Sequence, residues 1–471
     1  MSVITDEFES VCRENGQKVA FYFERAGRLK SKTYEELCED VKKAESYLAK
    51  KGVSSGERLL AFASPDYNLL VCMLAAFKLG AAVMYVDIFA KQDSLKNFFN
   101  RFEPNYVLVS NKTRFLRLFF RSIGRIRVVN VDKFSTSSAI LKSDNIDDDT
   151  PALITATTGS SGRPKVFIRT HEDLFNQLML IRNNMKVVGH DEIILTTSYI
   201  YAFANLMQGF TTVLPNINLA LQKGTKRVIR KLEVFENLKV TTVMTSPDYC
   251  LRLPNLYPRV KRLYFGGAIL NYNEARRIQS KYAGAEIWYI YGSTECVLIA
   301  GVSLEEYLDV LKKTGRCLLG DVCDGVRVHI NDGGHILINS DALLRQELGG
   351  KTAGEYYDIN DIGHLKRGRL YYIGKNGTKV KIKDKEYYAN ELEQKVILKF
   401  RELSKCAILE YQGANYAFIE GVLDEKEIRN FLAKEYEIMN VISLRQIPRD
   451  VKHHTKTDYA RLAHFCKKRL N

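Results

Sequence analysis

Short β-branched and apolar runs alternate with helix-period segments through most of the chain ahead of Lys313, and this alternation restricts the fold more than any other feature. Arg58 to Ala63, Tyr106 to Val109 and Arg127 to Val131 read as strands bounded by polar or turn residues. Thr33 to Lys51 sets apolar residues at helical spacing behind a Thr cap and stops at Gly52, which predicts an amphipathic helix. Strands that recur with helices between them pair in parallel, so the expected architecture is a parallel sheet covered by helices. Leu69 to Ala90 is the longest apolar stretch, but Lys78, Gly80 and Asp87 interrupt it. It therefore reads as a core helix followed by a buried strand, and not as a bilayer span. The polar, acidic segment Ser135 to Thr150 reads as an exposed connection that marks a subdomain junction before the strand Ala152 to Thr155. Val240 to Ser246, Val260 to Phe265 and Glu286 to Tyr291 each end at or beside Gly, Pro or Ser, where α/β sheets place ligand-binding loops. Beyond Lys313 the strands become shorter and glycine-punctuated (Val326 to Ile330, His335 to Ile338, Leu370 to Ile373), as in a distorted β-barrel or small sheet, and a separate unit is expected after Gly374.

With 471 residues, 46% of them hydrophobic, the chain has material for at least two domains. Its net charge of +15 attracts polyanions: nucleotides, coenzyme A, acidic carrier proteins, nucleic acid or anionic lipid. From Gly374 onward 20 Lys and Arg stand against 14 Asp and Glu, so the C-terminal lobe is disproportionately basic. The nine cysteines form no C-x-x-C pair and no zinc-ligand spacing, and read as reduced thiols. The first residues lack the basic start and apolar run of a signal peptide, so a cytoplasmic location is expected. No repeat period and no nucleic-acid motif is present, and neither a solenoid nor a nucleic-acid partner is expected.

The densest chemistry lies in Thr157-Thr158-Gly159-Ser160-Ser161-Gly162-Arg163-Pro164-Lys165. Glycines admit an anion to the backbone, hydroxyls and N–H groups donate to its oxygens, and a cation offsets its charge. Such a loop, taken alone, also suits a surface turn. A Walker P-loop does not fit, because Gly162 is followed by Arg163-Pro164.

This segment resembles the phosphate loop, T-S-G-T-T-G-x-P-K, of the adenylate-forming superfamily of acyl-CoA synthetases, peptide-synthetase adenylation domains and luciferases. The departures at Thr158, Ser160 and Ser161 all keep a hydroxyl where the family has one. Further family segments follow in order. Gly266-Gly267-Ala268 matches the stretch that lies against adenine, and Tyr291-Gly292-Ser293-Thr294-Glu295 matches Y-G-x-T-E. There the resemblance implies that Tyr291 stacks on the base, Thr294 meets phosphate and Glu295 helps hold Mg²⁺, roles that suit an aromatic face, a hydroxyl and a hard carboxylate. Asp361 aligns with the aspartate of T-G-D and is expected to accept the ribose hydroxyls, although Thr and Gly are not kept. Gly374 to Lys381 aligns with the hinge G-R-x-D-x-x-x-K, with Lys375 in place of arginine. Lys456 aligns with the near C-terminal lysine that contacts carboxylate and α-phosphate, and is expected to be the main catalytic residue, since a placed ammonium stabilises the anionic transition state.

The resemblance implies an α/β fold in which a large N-terminal domain (1–373) has parallel sheets and a small β-barrel-like subdomain. A hinge at 374–377 then leads to a small mobile α+β domain, 378–471. It implies ATP and Mg²⁺ as cofactors, a small carboxylic acid as substrate, and the phosphopantetheine thiol of CoA or of an acidic carrier protein as acceptor. In the acyl-pocket segment Tyr199 takes the position where CoA ligases have histidine, with Phe203, Gly267 and Gly292 also expected to line the pocket. Ile200 stands where amino-acid-activating relatives place Asp, which disfavours an α-amino acid and leaves a fatty or aromatic one. Gly377 at the pivot, Asp384 in place of the glycine that lets pantetheine pass, and Thr455 before Lys456 depart from the pattern. They leave open a non-thiol acceptor, or a degenerate protein that binds nucleotide without catalysis.

Overall fold

The computed structural model describes residues 2–63, 66–85, 102–113, 126–136, 145–156, 166–185, 189, 191–217, 225–345, 354–421, 425–450 and 455–470. The chain forms two compact units, the first built from Met1–Met244, Thr294–Val297 and Ser340–Glu355, the second from Thr245–Ser293, Leu298–Asn339 and Tyr356–Asn471.

In the first unit, Arg127–Asn130, Tyr106–Val109, Arg58–Ala61, Ala82–Tyr85, Pro151–Ala156 and Val166–Thr170 lie side by side in that order. Every pairing is parallel except the last. The core of this sheet gathers Leu60, Met84, Phe102, Val107, Ile154 and Val166. Thr33 caps the helix Tyr34–Lys50 through a capping box with Glu36, and its Leu37, Val41, Ala44 and Leu48 are buried, as the spacing predicted. Asp66 caps the helix Tyr67–Lys78, which is buried on all sides and leads to the strand Ala82–Tyr85. A second set of strands in this unit, Val19–Arg25, Thr211–Val213, Ile193–Thr196 and Thr242–Thr245, is also parallel, with Arg28–Thr33 antiparallel at its edge.

One expectation fails here. Ser135 to Thr150 is not a subdomain junction, because Pro151–Ala156 pairs directly with Ala82–Tyr85 and both flanks belong to one sheet. Polarity marks exposure of a connection, and a connection between two strands of one sheet can be as exposed as a linker between domains.

In the second unit, Arg262–Gly266 runs parallel to Glu286–Tyr291. Antiparallel partners continue from there through Ala300–Ser303, Cys317–Val322, Arg369–Lys375 and Tyr357–Lys366. The strand Arg369–Lys375 includes Gly374 and Lys375, and Asn376-Gly377 makes the turn beyond it, with Gly377 at φ 84°. Then come the hairpin Lys379–Ile382 and Lys385–Tyr388, the helix Ala389–Lys399, and a three-stranded sheet of Lys405–Tyr411, Ala414–Glu420 and Asn440–Ser443. That sheet packs Ala407, Leu409 and Phe418 against Leu462 and Cys466 of the last helix, Tyr459–Leu470. Among the described residues no helix is long and apolar enough to cross a membrane.

Candidate active site

Strand ends supply the chemistry of the second unit. Gly266 is in parallel register with Ile290, and a Cβ there would be driven into the Ile290 carbonyl, so only glycine lets the two strands finish side by side. Gly267 follows in the left-handed region at φ 101°, and the Ala268 carbonyl accepts a 2.7 Å bond from the Tyr289 hydroxyl. One residue past Ile290, the buried Tyr291 donates its hydroxyl to Asp361 Oδ2 at 2.6 Å. Burial first, and the Asp361 charge second, push the Tyr291 phenol well above its ordinary range, so it stays a donor. The sequence placed these two residues on one ligand but did not foresee the bond between them.

Asp361 follows Asn360, whose φ of 60° is left-handed. That backbone explains glycine in the related motif, and Asn is the side chain that tolerates it best. The Asn360 N–H donates to Asp358 Oδ1 at 2.7 Å, and Asp358 Oδ2 lies 2.7 Å from His335 Nδ1. Lys375 stands directly opposite Asp361 across the antiparallel pair, and the neighbouring Gly374 leaves no room for a side chain beside Tyr388. Gly292 continues the chain at the end of the Tyr291 strand.

Lys456 is exposed, and its carbonyl accepts from the Asp450 N–H at 2.9 Å. The preceding Thr455 is buried, and its carbonyl accepts a 2.8 Å bond from the ammonium of Lys405. Lys405 in turn lies 3.6 Å from Glu274 on the helix Tyr272–Lys281, both side chains being 8% exposed. At the start of that helix Asn271 donates to the Ser404 carbonyl at 3.1 Å, and Asn273 to the carbonyls of Arg401 and Leu403 at 2.7 and 2.8 Å. In the 379–388 hairpin the left-handed backbone falls on Lys383, at φ 54°, and the exposed Asp384 is spared it.

The first unit holds Thr294 and Glu295 by their backbones. The Thr294 carbonyl accepts from Arg169 Nη2 at 2.8 Å, and the Glu295 carbonyl accepts from Gln177 Nε2 at 3.4 Å and the Leu344 N–H at 2.9 Å. Gln177 Nε2 also reaches the Ala342 carbonyl at 3.1 Å. Arg169 lies on the strand Val166–Thr170, and Gln177 on the helix His171–Asn184, capped by Thr170 and Asp173. Burial draws the Arg169 guanidinium down to about 10, with Asp173 and Glu295 opposing the fall, so it remains charged at neutral pH. Arg169, Gln177, Lys405 and Glu274 all escaped the sequence reading. The available signal was an arginine directly after the apolar run Val166 to Ile168.

Tyr199 and Ile200 open the helix Tyr199–Leu206. The Tyr199 ring meets Tyr85 edge-on at 5.3 Å and stacks on Phe203 at 6.4 Å; Phe203 is buried against Phe77. Close by, burial lifts the Asp66 carboxyl to about 6. The predicted phosphate loop, Thr157, Thr158, Gly159, Ser160, Ser161, Gly162 and Lys165, lies outside the described residues. Among the described residues no group of three His, Cys, Asp or Glu side chains could hold a metal ion. Mg²⁺ commonly takes one or two carboxylates and completes its shell with substrate phosphates and water, so a single carboxylate on a held backbone, such as Glu295, fits it.

The strands and helices form a mixed α/β fold. The chain belongs to the AMP-binding enzyme family, whose profile matches residues 8–345. It is 24% identical over 385 residues to D-alanine--D-alanyl carrier protein ligase of Staphylococcus aureus (strain MRSA252), covering 77% of this chain and 76% of that protein. It is 22% identical over 444 residues to surfactin synthase subunit 1 of Bacillus subtilis (strain 168), which spans 86% of this chain and 12% of that subunit. In fold it is similar to o-succinylbenzoate CoA synthetase (MenE) from Bacillus subtilis bound to its acyl-adenylate, with TM-score 0.79, 16% identity and 97% of each chain covered. It is likewise similar to the amide bond synthetase McbA from Marinactinospora thermotolerans, with TM-score 0.83, 15% identity, and 98% and 99% covered.

Proposed function

We propose that this adenylate-forming ligase activates a fatty or aromatic carboxylic acid. A carboxylate oxygen attacks the α-phosphorus of ATP, pyrophosphate leaves, and the acyl-AMP then passes its acyl group to a phosphopantetheine thiol, of CoA or of an acidic carrier protein. The observation that carries the reading is the 2.6 Å bond between Tyr291 and Asp361 beside the glycine-only end of the Arg262–Gly266 strand. An aromatic face joined to a carboxylate suits a base and its ribose, which supports the reading.

In this reading Tyr291, Gly266, Gly267, Ala268 and Gly292 receive adenine, Asp361 and Lys375 the ribose, and Thr294 and residues 157–162 with Lys165 the phosphates. Glu295 binds Mg²⁺, which when bound neutralises phosphate charge. Lys456 stabilises the charge that accumulates as the carboxylate attacks. Tyr199, Ile200 and Phe203 wall the acyl pocket, whose aromatic character and lack of an acid in the first helical turn suit an uncharged acyl chain or ring. Residues 378–471 act as a lobe turning about 374–377 between the two half-reactions, in a cytoplasmic enzyme.

A second reading, with an amine or other non-thiol acceptor, draws support from Asp384 and from the fold likeness to an amide bond synthetase. The test is mass spectrometry of the protein with MgATP and mixed acids, with and without CoA or a phosphopantetheinylated carrier. An acyl-AMP that disappears when a thiol is added supports the first reading, and one that disappears only with an amine supports the second. No adenylate and no pyrophosphate exchange with any acid would leave a nucleotide binder without catalysis.

A further inference from the structure

Arg169 is 4% exposed, and burying a guanidinium is costly unless something is gained. Among the described residues it makes no ion pair, and its donors go to three neutral oxygens from three segments. Nε donates to Gln177 Oε1 at 2.8 Å, Nη1 to Thr155 Oγ1 at 2.5 Å and Nη2 to the Thr294 carbonyl at 2.8 Å. Thr155 lies on the strand Pro151–Ala156, whose sequence runs straight into residues 157–165. Gln177, oriented by Arg169, spends its own amide on the carbonyls of Glu295 and Ala342. One buried cation thus ties the strand that feeds the glycine-hydroxyl segment to the backbone of the Thr-Glu dipeptide.

An apolar side chain of similar volume would fill this space at lower cost, so packing does not explain a charge here. We infer that Arg169 is a positioning residue for magnesium-nucleotide binding. It fixes the Thr294 and Glu295 peptides so that hydroxyl and carboxylate are preset, and it keeps a fixed positive charge beside that dipeptide. The inference rests on the reading of Thr294 and Glu295 as phosphate and Mg²⁺ residues. It predicts that the guanidinium governs the magnesium-dependent part of ATP affinity and leaves recognition of base and ribose alone.

The test is calorimetric binding of ATP at limiting and at saturating magnesium, with AMP as the ligand that reports base and ribose. Arg169→Met should lower ATP affinity at saturating magnesium by about tenfold, the scale of one charge-assisted hydrogen bond, and keep AMP affinity within about twofold. Arg169→Lys keeps the charge and should recover part of the loss. If Arg169→Met does not fold, Gln177→Leu, which deletes the links to Arg169 and to the Glu295 carbonyl, should weaken ATP at saturating magnesium in the same selective way. Equal losses for ATP and AMP, or no loss in a folded variant, would overturn the inference. Glu295→Gln separates the two levels: an unaltered magnesium response in that variant overturns the site reading itself, whereas a shifted response there beside a normal one in Arg169→Met overturns the role of Arg169 alone.

Discussion

Replacing Glu393 by Gln should change how folding stability responds to pH. Glu393 sits on the helix Ala389–Lys399 and accepts from the Ile408 N–H at 2.8 Å and the Tyr459 hydroxyl at 2.7 Å. Burial raises its carboxyl from 4.5 to about 7, against the opposing pull of both hydrogen bonds and of the Lys405 charge. Between those values the folded carboxyl keeps a proton that the unfolded chain has released. Stability therefore falls as pH rises through that window, and the loss is complete above it. At about 1.36 kcal/mol for each tenfold in proton affinity the gap amounts to about 3 kcal/mol. Gln keeps an acceptor oxygen and never ionises, so Glu393→Gln should gain on the parent protein by about that amount between the two pH limits, and little in acid. A chain of two units need not unfold in one step, so amide exchange within 389–399 under mild urea gives the local stability at each pH. A parent-variant difference that stays flat from acid to neutral pH, or grows toward acid, would refute the reasoning.

Lys456→Ala should slow pyrophosphate exchange by about 10²-fold while ATP binding by calorimetry persists, as expected for loss of one transition-state donor; unchanged exchange removes Lys456 from the mechanism. Asp361→Asn keeps a partner for the Tyr291 hydroxyl but weakens the ribose acceptor, so the KM for ATP should rise about tenfold with the KM for the acid unaltered. Asn360→Gly should leave stability within about 0.5 kcal/mol, whereas Asn360→Val forces a β-branched residue to φ 60° and should cost about 1–2 kcal/mol in urea unfolding. Equal stability of the Gly and Val variants would show that the left-handed backbone is not held in solution.

The parts of the fold legible in the sequence were those fixed locally. Thr33, Glu36 and the spacing of Leu37, Val41, Ala44 and Leu48 specify a helix without reference to the rest of the chain, and Glu286 to Tyr291 was bounded to the residue. The acidic stretch Ser135 to Thr150 misled because composition reports exposure and not connectivity; only the pairing of Ala82–Tyr85 with Pro151–Ala156 reveals one sheet. Tyr291 and Asp361 were singled out through motif order, but their mutual bond depends on how the two strands are brought together. The partners of Arg169 and Lys405 were hidden for the same reason. A buried cation is defined by partners such as Thr294 and Glu274, which stand 125 and 131 positions away in the chain.

Lys405 serves two masters with one ammonium: the Thr455 carbonyl beside Lys456, and the Glu274 carboxylate at the head of another helix. For a lobe proposed to swing about 374–377, undocking from that helix head would flood a dry ion pair and release the Asn271 and Asn273 tethers in the same movement. Lys405 and Thr455 both belong to that lobe and would travel together, so the ammonium would keep its hold on the stretch carrying Lys456 while losing the carboxylate that balances its charge.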